Sequence, residues 1–95
     1  MRAAHDFFEA LDRQLPAERT DDRPSRRDFE SYDLLEIVER FATGWDHLPP
    51  MIRGRDEYRT LITWGRVVAF ASVVGQLAPD GAVELVDIDI DLGWT

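Results

Sequence analysis

The sequence contains no cysteine, no lysine and no asparagine. Without cysteine there are no disulfides, no cysteine-ligated zinc and no thiol chemistry, which fits a cytoplasmic protein. Without lysine, arginine carries all 11 basic side-chain charges, and arginine makes planar, forked contacts that lysine does not. The missing lysine and asparagine also fit the codon bias of a GC-rich bacterial genome. No run approaches the roughly 20 apolar residues of a membrane span, so no membrane partner is expected. The opening stretch, MRAAHDFFEALDRQL, spreads its charges and lacks the apolar centre of a signal peptide. There is no glycine-rich phosphate loop and no dinucleotide fingerprint. Ser25, Ser31 and Ser72 all lie outside a G-x-S-x-G nucleophile motif. No cofactor is expected.

Positive charge is scarce overall. Eleven basic residues stand against 19 acidic ones, for a net charge of −8. Nucleic-acid binders draw much of their affinity from neutralising phosphates, so this balance disfavours nucleic acid. It favours solubility and attraction to a basic partner. A chain of 95 residues fits one domain, and so small a core leaves a thin stability margin that an oligomer or partner would widen.

Hydrophobic spacing divides that domain. Ala4, Phe8, Leu11 and Leu15 fall on one helical face, widened by Phe7, and Pro16 ends the helix. The stretch 16–27, PAERTDDRPSRR, reads as a polar, mobile linker; Arg23, Arg26 and Arg27 could make it an anion-binding arm, although Asp21, Asp22 and Asp28 dilute their charge. A second helix follows within 28–43. Its stripe is Leu34, Val38, Phe41 and Trp45, with Ile37 beside it. Asp33 and Glu36 are placed as a capping box, with earlier starts at Ser25 or Asp28 also open. Gly44 suits a left-handed helix end. Residues 45–57 form a turn-rich connection.

Three strands complete the expectation: Tyr58–Thr63, Arg66–Gly75 after a tight Trp64-Gly65 turn, and Ala82–Leu92 after Pro79-Asp80-Gly81. The second strand is apolar on both faces and so should be central and covered on both sides. A second copy of the chain could supply one cover, which makes a homodimer an expectation. The fold class that follows is α+β: two N-terminal helices, then a three-stranded antiparallel meander.

The last strand, VELVDIDIDL, carries the first candidate surface. Side chains alternate across a strand, so Asp87, Asp89 and Asp91 share one face, opposite Val86, Ile88, Ile90 and Leu92. Val83 and Leu85 have the parity of the aspartates. The apolar side must therefore switch near Leu85-Val86, through a bulge or through burial of both faces early in the strand. The aspartates can serve as a solvated anti-aggregation face, as a docking surface for a basic protein, or as ligands for a divalent cation. The second surface is arginine-rich: Arg53, Arg55, Arg59 and Arg66, with Trp64 and Tyr58 nearby. Arginine with aromatics suits a protein interface and also single-stranded nucleic acid. His5 and His47 are isolated and point to no metal site or catalytic pair.

The segment Leu48 to Ile62, reading L-P-P…G…Y-R-T-L-I before a hairpin, resembles the core of the small RelE/ParE toxins of bacterial toxin–antitoxin systems. The resemblance covers under half the chain. Its ribonuclease branch implies basic residues late in the sheet, where this chain has VDIDIDLGWT. No functional residue carries over. The expected function is a small cytoplasmic interaction module, antitoxin-like or immunity-like. It would bind a basic protein through Asp87, Asp89 and Asp91, with Arg53, Arg55, Arg59, Trp64 and Arg66 as a second contact surface. Two alternatives stand beside it: a RelE/ParE-like effector acting on RNA or another macromolecule through the arginine hairpin, and a metal-dependent hydrolase using the aspartates.

Overall fold

Phe7, Phe29 and Phe41 lose all contact with water, and the elements are arranged around them. The computed structural model describes residues 1–21 and 23–93. Asp22, one of the acidic residues of the 16–27 stretch, and residues 94 and 95 lie outside the described residues. A two-residue strand β1 (Arg2–Ala3) leads into helix α1 (His5–Gln14). After a connection come α2 (Arg26–Phe29), a π-helical turn (Glu30–Leu34) and α3 (Leu35–Gly44), which together make one helical run over 26–44. A 3-10 turn (Trp45–His47) leads to β2 (Pro50–Ile52), β3 (Arg55–Trp64), β4 (Phe70–Leu77) and β5 (Val83–Asp91).

The strands form one five-stranded sheet in the order β1-β5-β4-β3-β2, with β1 parallel to β5 and the other pairs antiparallel. This overturns the expected three-stranded antiparallel meander: the sheet is mixed and has two further edge strands. Both have a physical reason for escaping the sequence. β1 is too short to show alternation. It is held by Ala4 N–H donating to the Leu85 carbonyl at 2.8 Å, and by Arg2 reaching Glu84 and Asp80, each at 3.0 Å. β2 follows Pro49 and begins at Pro50, residues that read as a turn but are tolerated on a sheet edge.

The helices cover one sheet face. Phe7, Ala10, Leu11 and Leu15 of the α1 segment are buried, whereas Phe8, expected in the stripe, is 38% exposed. From the second run come Phe29, Ile37 and Phe41, which meet Leu61, Ala71, Val73, Leu85 and Ile88 of the sheet. Burying each large apolar side chain contributes about 1.5–3 kcal/mol. Phe41 lies so close to β4 that a Cβ on Gly75 would sit 2.5 Å from its ring, so glycine is what lets helix and strand approach. The second run starts at Ser25, whose hydroxyl accepts from Asp28 N–H while the Asp28 carboxylate accepts from Ser25 N–H. Gly44 does not reverse the helix: its φ is −125° and the chain continues into the 3-10 turn.

Asp33 has a different task from the expected cap. It is 4% exposed, and its carboxylate accepts the backbone N–H groups of Arg66, Val67 and Val68 at 2.5, 3.0 and 3.3 Å. Those amides therefore leave the β-ladder. The expected tight Trp64-Gly65 hairpin is replaced by a loop over 65–69, and β4 begins at Phe70 with Trp64 as its partner. The turn after β4 does follow its sequence signal. Gly81, at φ +88°, donates to the Ala78 carbonyl at 2.9 Å, closing a turn around Pro79 and Asp80.

In β5 the expected switch of sides is a bulge. Val74 faces Asp87 and Gly75 faces Leu85, leaving Val86 without an opposite residue. Leu85 and Ile88 consequently point the same way, into the core. The outer edge of β5 is also closed. Gln14 donates its amide to the Ile88 carbonyl at 2.7 Å and accepts Ile90 N–H at 2.6 Å. A side-chain amide thus takes the place of a neighbouring strand beyond β1.

The 16–27 linker is tied down at several points. Arg26 N–H donates to the Pro16 carbonyl at 2.8 Å. The Arg26 side chain pairs with Asp12 and Glu30 and lies over the Phe8 ring. Arg19 grips Asp28 with two hydrogen bonds of 2.8 and 2.7 Å.

Two outcomes follow for stability. Asp33→Ala leaves three loop amides without their acceptor and should cost about 3 kcal/mol in urea unfolding, with Asp33→Asn milder because one oxygen remains. A loss under about 0.5 kcal/mol for Asp33→Ala would remove this role. The Arg19 guanidinium, aided by Ser25 N–H, holds the Asp28 carboxyl well below its ordinary range. The contribution of Asp28 is thus complete above its ordinary value of 3.8 and drains as pH falls further, because protonation then favours the unfolded chain. The melting temperature of Asp28→Asn should fall less steeply than that of the parent below about pH 4, the more so at low salt. Parallel slopes would contradict this.

Candidate functional site

The register of the sheet fixes what its uncovered face presents. Residues opposite one another across strands share a side, and four rows cross β3, β4 and β5 on the face away from the helices. They are Trp64–Phe70–Asp91, Ile62–Ser72–Asp89, Thr60–Val74–Asp87 and Tyr58–Gln76–Glu84. The face is therefore divided lengthwise. Its β3 side is apolar and aromatic, and its β5 side is acidic.

The apolar side is wet. Trp64 is 79% exposed and Ile62 69% exposed. Trp64 and Phe70 rest against each other with ring centroids 4.9 Å apart. On the acidic side Asp87 accepts Ile88 N–H at 2.9 Å and Asp91 accepts Gly93 N–H at 2.7 Å. Both carboxylates keep further lone pairs for a partner. Successive aspartates are roughly 6.5–7 Å apart along the strand by their Cα atoms. Among the described residues, no three His, Asp or Glu side chains are grouped to hold a metal ion. The sequence placed Asp87, Asp89 and Asp91 on one face, and they are on one face, exposed.

The arginines do not gather as the sequence allowed. Arg53 sits in the β2–β3 turn and Arg55 at the start of β3, while Arg66 lies in the loop beyond its far end. The ten residues of β3 separate the two groups by roughly 30 Å. Arg55 pairs with Glu57, pulling that carboxyl below its ordinary range, and lies over Tyr58. Arg59 points to the helix side. It donates to the carbonyls of Trp45 at 3.0 Å and Leu48 at 3.3 Å and stacks on the Trp45 ring, so it ties the end of the helical run to β3. His5 pairs with Glu9 at 3.0 Å on the surface of α1, and His47 is exposed in the 3-10 turn.

Ile62 and Phe70 were the missed members of the face. The alternation Tyr58, Thr60, Ile62, Trp64 was present in the sequence. Its meaning depended on register: with β4 starting at Arg66 the facing residues would all have differed. An apolar groove of about 240 Å³ lies between Arg2, Phe7, Phe8, Leu34, Val38 and Leu85. Its one charged group, Arg2, is already paired with Asp80 and Glu84. No helix among the described residues is long and apolar enough to cross a membrane. No protein-family model, curated protein or solved structure matches the chain.

Proposed function

We propose that this chain is a small interaction module whose uncovered sheet face receives a basic protein partner. The observation that carries the reading is the side-by-side placement of exposed Ile62, Trp64 and Phe70 with Asp87, Asp89 and Asp91. Contiguous exposed apolar surface with an aromatic centre is what protein interfaces are made of. The carboxylates then select the partner's sign. A net charge of −8 raises the encounter rate with a basic molecule and repels acidic ones.

The same charges weigh against a second copy as the cover. None of the twelve residues in the four rows is basic. Two such faces pressed together would bury aspartates without counter-charges, a cost of several kcal/mol for each unpaired ion. A heterologous basic protein satisfies both halves of the face. Neutralising such a protein, as an antitoxin or an immunity protein does, is one form this role would take. The separation of Arg53 and Arg55 from Arg66 leaves the nucleic-acid alternative without a concentrated basic surface.

The test is salt-dependent capture. The tagged protein should retain a basic protein at low salt and release it along a salt gradient. Asp87→Asn/Asp89→Asn/Asp91→Asn should weaken retention at least tenfold. Trp64→Ser, in the end row of the apolar half against Phe70, should weaken it by about thirtyfold if it behaves as an interface hot spot of about 2 kcal/mol. Retention that ignores the triple substitution, or a partner that is acidic, would overturn the reading.

A further inference from the structure

Resting on that reading of the face, we propose that the partner engages it with a basic amphipathic α-helix lying along β4. The edges of the sheet argue first against an added strand. At the β5 edge, the backbone groups are taken by β1 over Glu84 and Leu85 and by Gln14 over Ile88 and Ile90. The other edge is the three-residue β2 with Pro50, and the Pro49 carbonyl already accepts from Thr60 N–H at 3.0 Å. Among the described residues, only the four of β3 after Thr60 lack a neighbouring strand on that side, too short a template for strand addition to dominate. The broad free surface is the face.

Its dimensions fit a helix. From Trp64 on β3 to Asp91 on β5 is two strand spacings, about 10 Å, and a helix with its side chains is about 10–12 Å across. One helix above β4 therefore reaches the apolar half with one flank and the acidic half with the other. Residues four apart on a helix rise about 6 Å, close to the roughly 6.5–7 Å between successive aspartates. Arginines at i, i+4 and i+8 would meet Asp91, Asp89 and Asp87 in turn. The i±4 row inclines about 26° to the helix axis, comparable in size with the roughly 20–25° by which β5 twists from β4. The long arginine stems absorb the remainder. The helices of this chain cannot fill the role for a second copy. α1 carries Asp6, Glu9 and Asp12 against Arg13 and a histidine, and the run over 26–44 carries Asp28, Glu30, Asp33, Glu36 and Glu39 against Arg26, Arg27 and Arg40.

The experiment uses the full chain and two synthetic 18-residue peptides. One carries a leucine stripe flanked by arginines at i, i+4 and i+8; the other is the same peptide with two central residues replaced by proline, which breaks the helix. Titration calorimetry at low salt measures affinity, and circular dichroism measures helix gained on mixing. Both are repeated with Asp87→Asn/Asp89→Asn/Asp91→Asn, after its melting curve shows it folded. The helical peptide should bind at least tenfold more tightly than the proline peptide, gain helicity, and lose at least tenfold against the substituted face. Equal binding of both peptides, lost in the substituted protein, overturns the helix but leaves the acidic face as the docking surface. Binding that survives the substitutions overturns both. Binding by neither peptide overturns the helix.

Discussion

Leu85 and Ile88 are three residues apart in a strand, yet both are buried on the same side, and the division of the molecule into a covered and an uncovered face depends on this. In regular alternation one of them would point to water. The unpaired Val86 absorbs the extra residue, so the strand supplies Val83 and Leu85 to the core before the bulge and Ile88 and Ile90 after it. The same shift turns Asp87, Asp89 and Asp91 outward together. The core under the helices and the acidic strip on the far side are consequences of one irregularity in the ladder.

A second constraint joins the helical layer to the sheet. Asp33, in the π-helical turn, gathers three amides of the 65–69 loop, and Arg59, on β3, holds two carbonyls at the end of the helical run. One is an anion meeting N–H groups, the other a cation meeting C=O groups. Together they fix the helical run to the sheet at separate points, and Phe41 against Gly75 fixes the distance between the layers. Both ionic residues lie in stretches where the sequence favours other roles, a helix cap for Asp33 and a surface contact for Arg59.

The parts of the fold legible in the sequence were those with a local cause. Pro16 ended α1, Pro79-Asp80-Gly81 made its turn, and the change of parity around Leu85 was met by a bulge, one of the two arrangements it allowed. The aspartates were placed on one face by alternation alone. What was not legible had a distant cause. β1 exists because Arg2 and Ala4 meet residues more than 75 positions away. The 65–69 loop exists because Asp33 removes its amides from the ladder. That loop decides where β4 begins, and so decides that Ile62, Trp64 and Phe70 stand beside the aspartates. The acidic half of the candidate face could be read from the sequence, and the apolar half needed the register.

The Gln14 amide on the edge of β5 has one more consequence. The first fifteen residues meet the rest of the chain as one unit: Phe7 and Leu11 in the core, Ala4 on Leu85, Gln14 on Ile88 and Ile90, Arg2 on Asp80 and Glu84, and Asp12 on Arg26. Detaching that unit would bare the core and the β5 edge at once. An opened molecule could then be closed again by its own segment or by the same segment of another copy, through an identical set of contacts. This is the condition for exchange of segments between protomers. Two opened edges meeting directly would bring the carboxylates of Asp87, Asp89 and Asp91 from each copy close together, and their repulsion disfavours edge-to-edge stacking. The acidic strip therefore also guards the opened molecule.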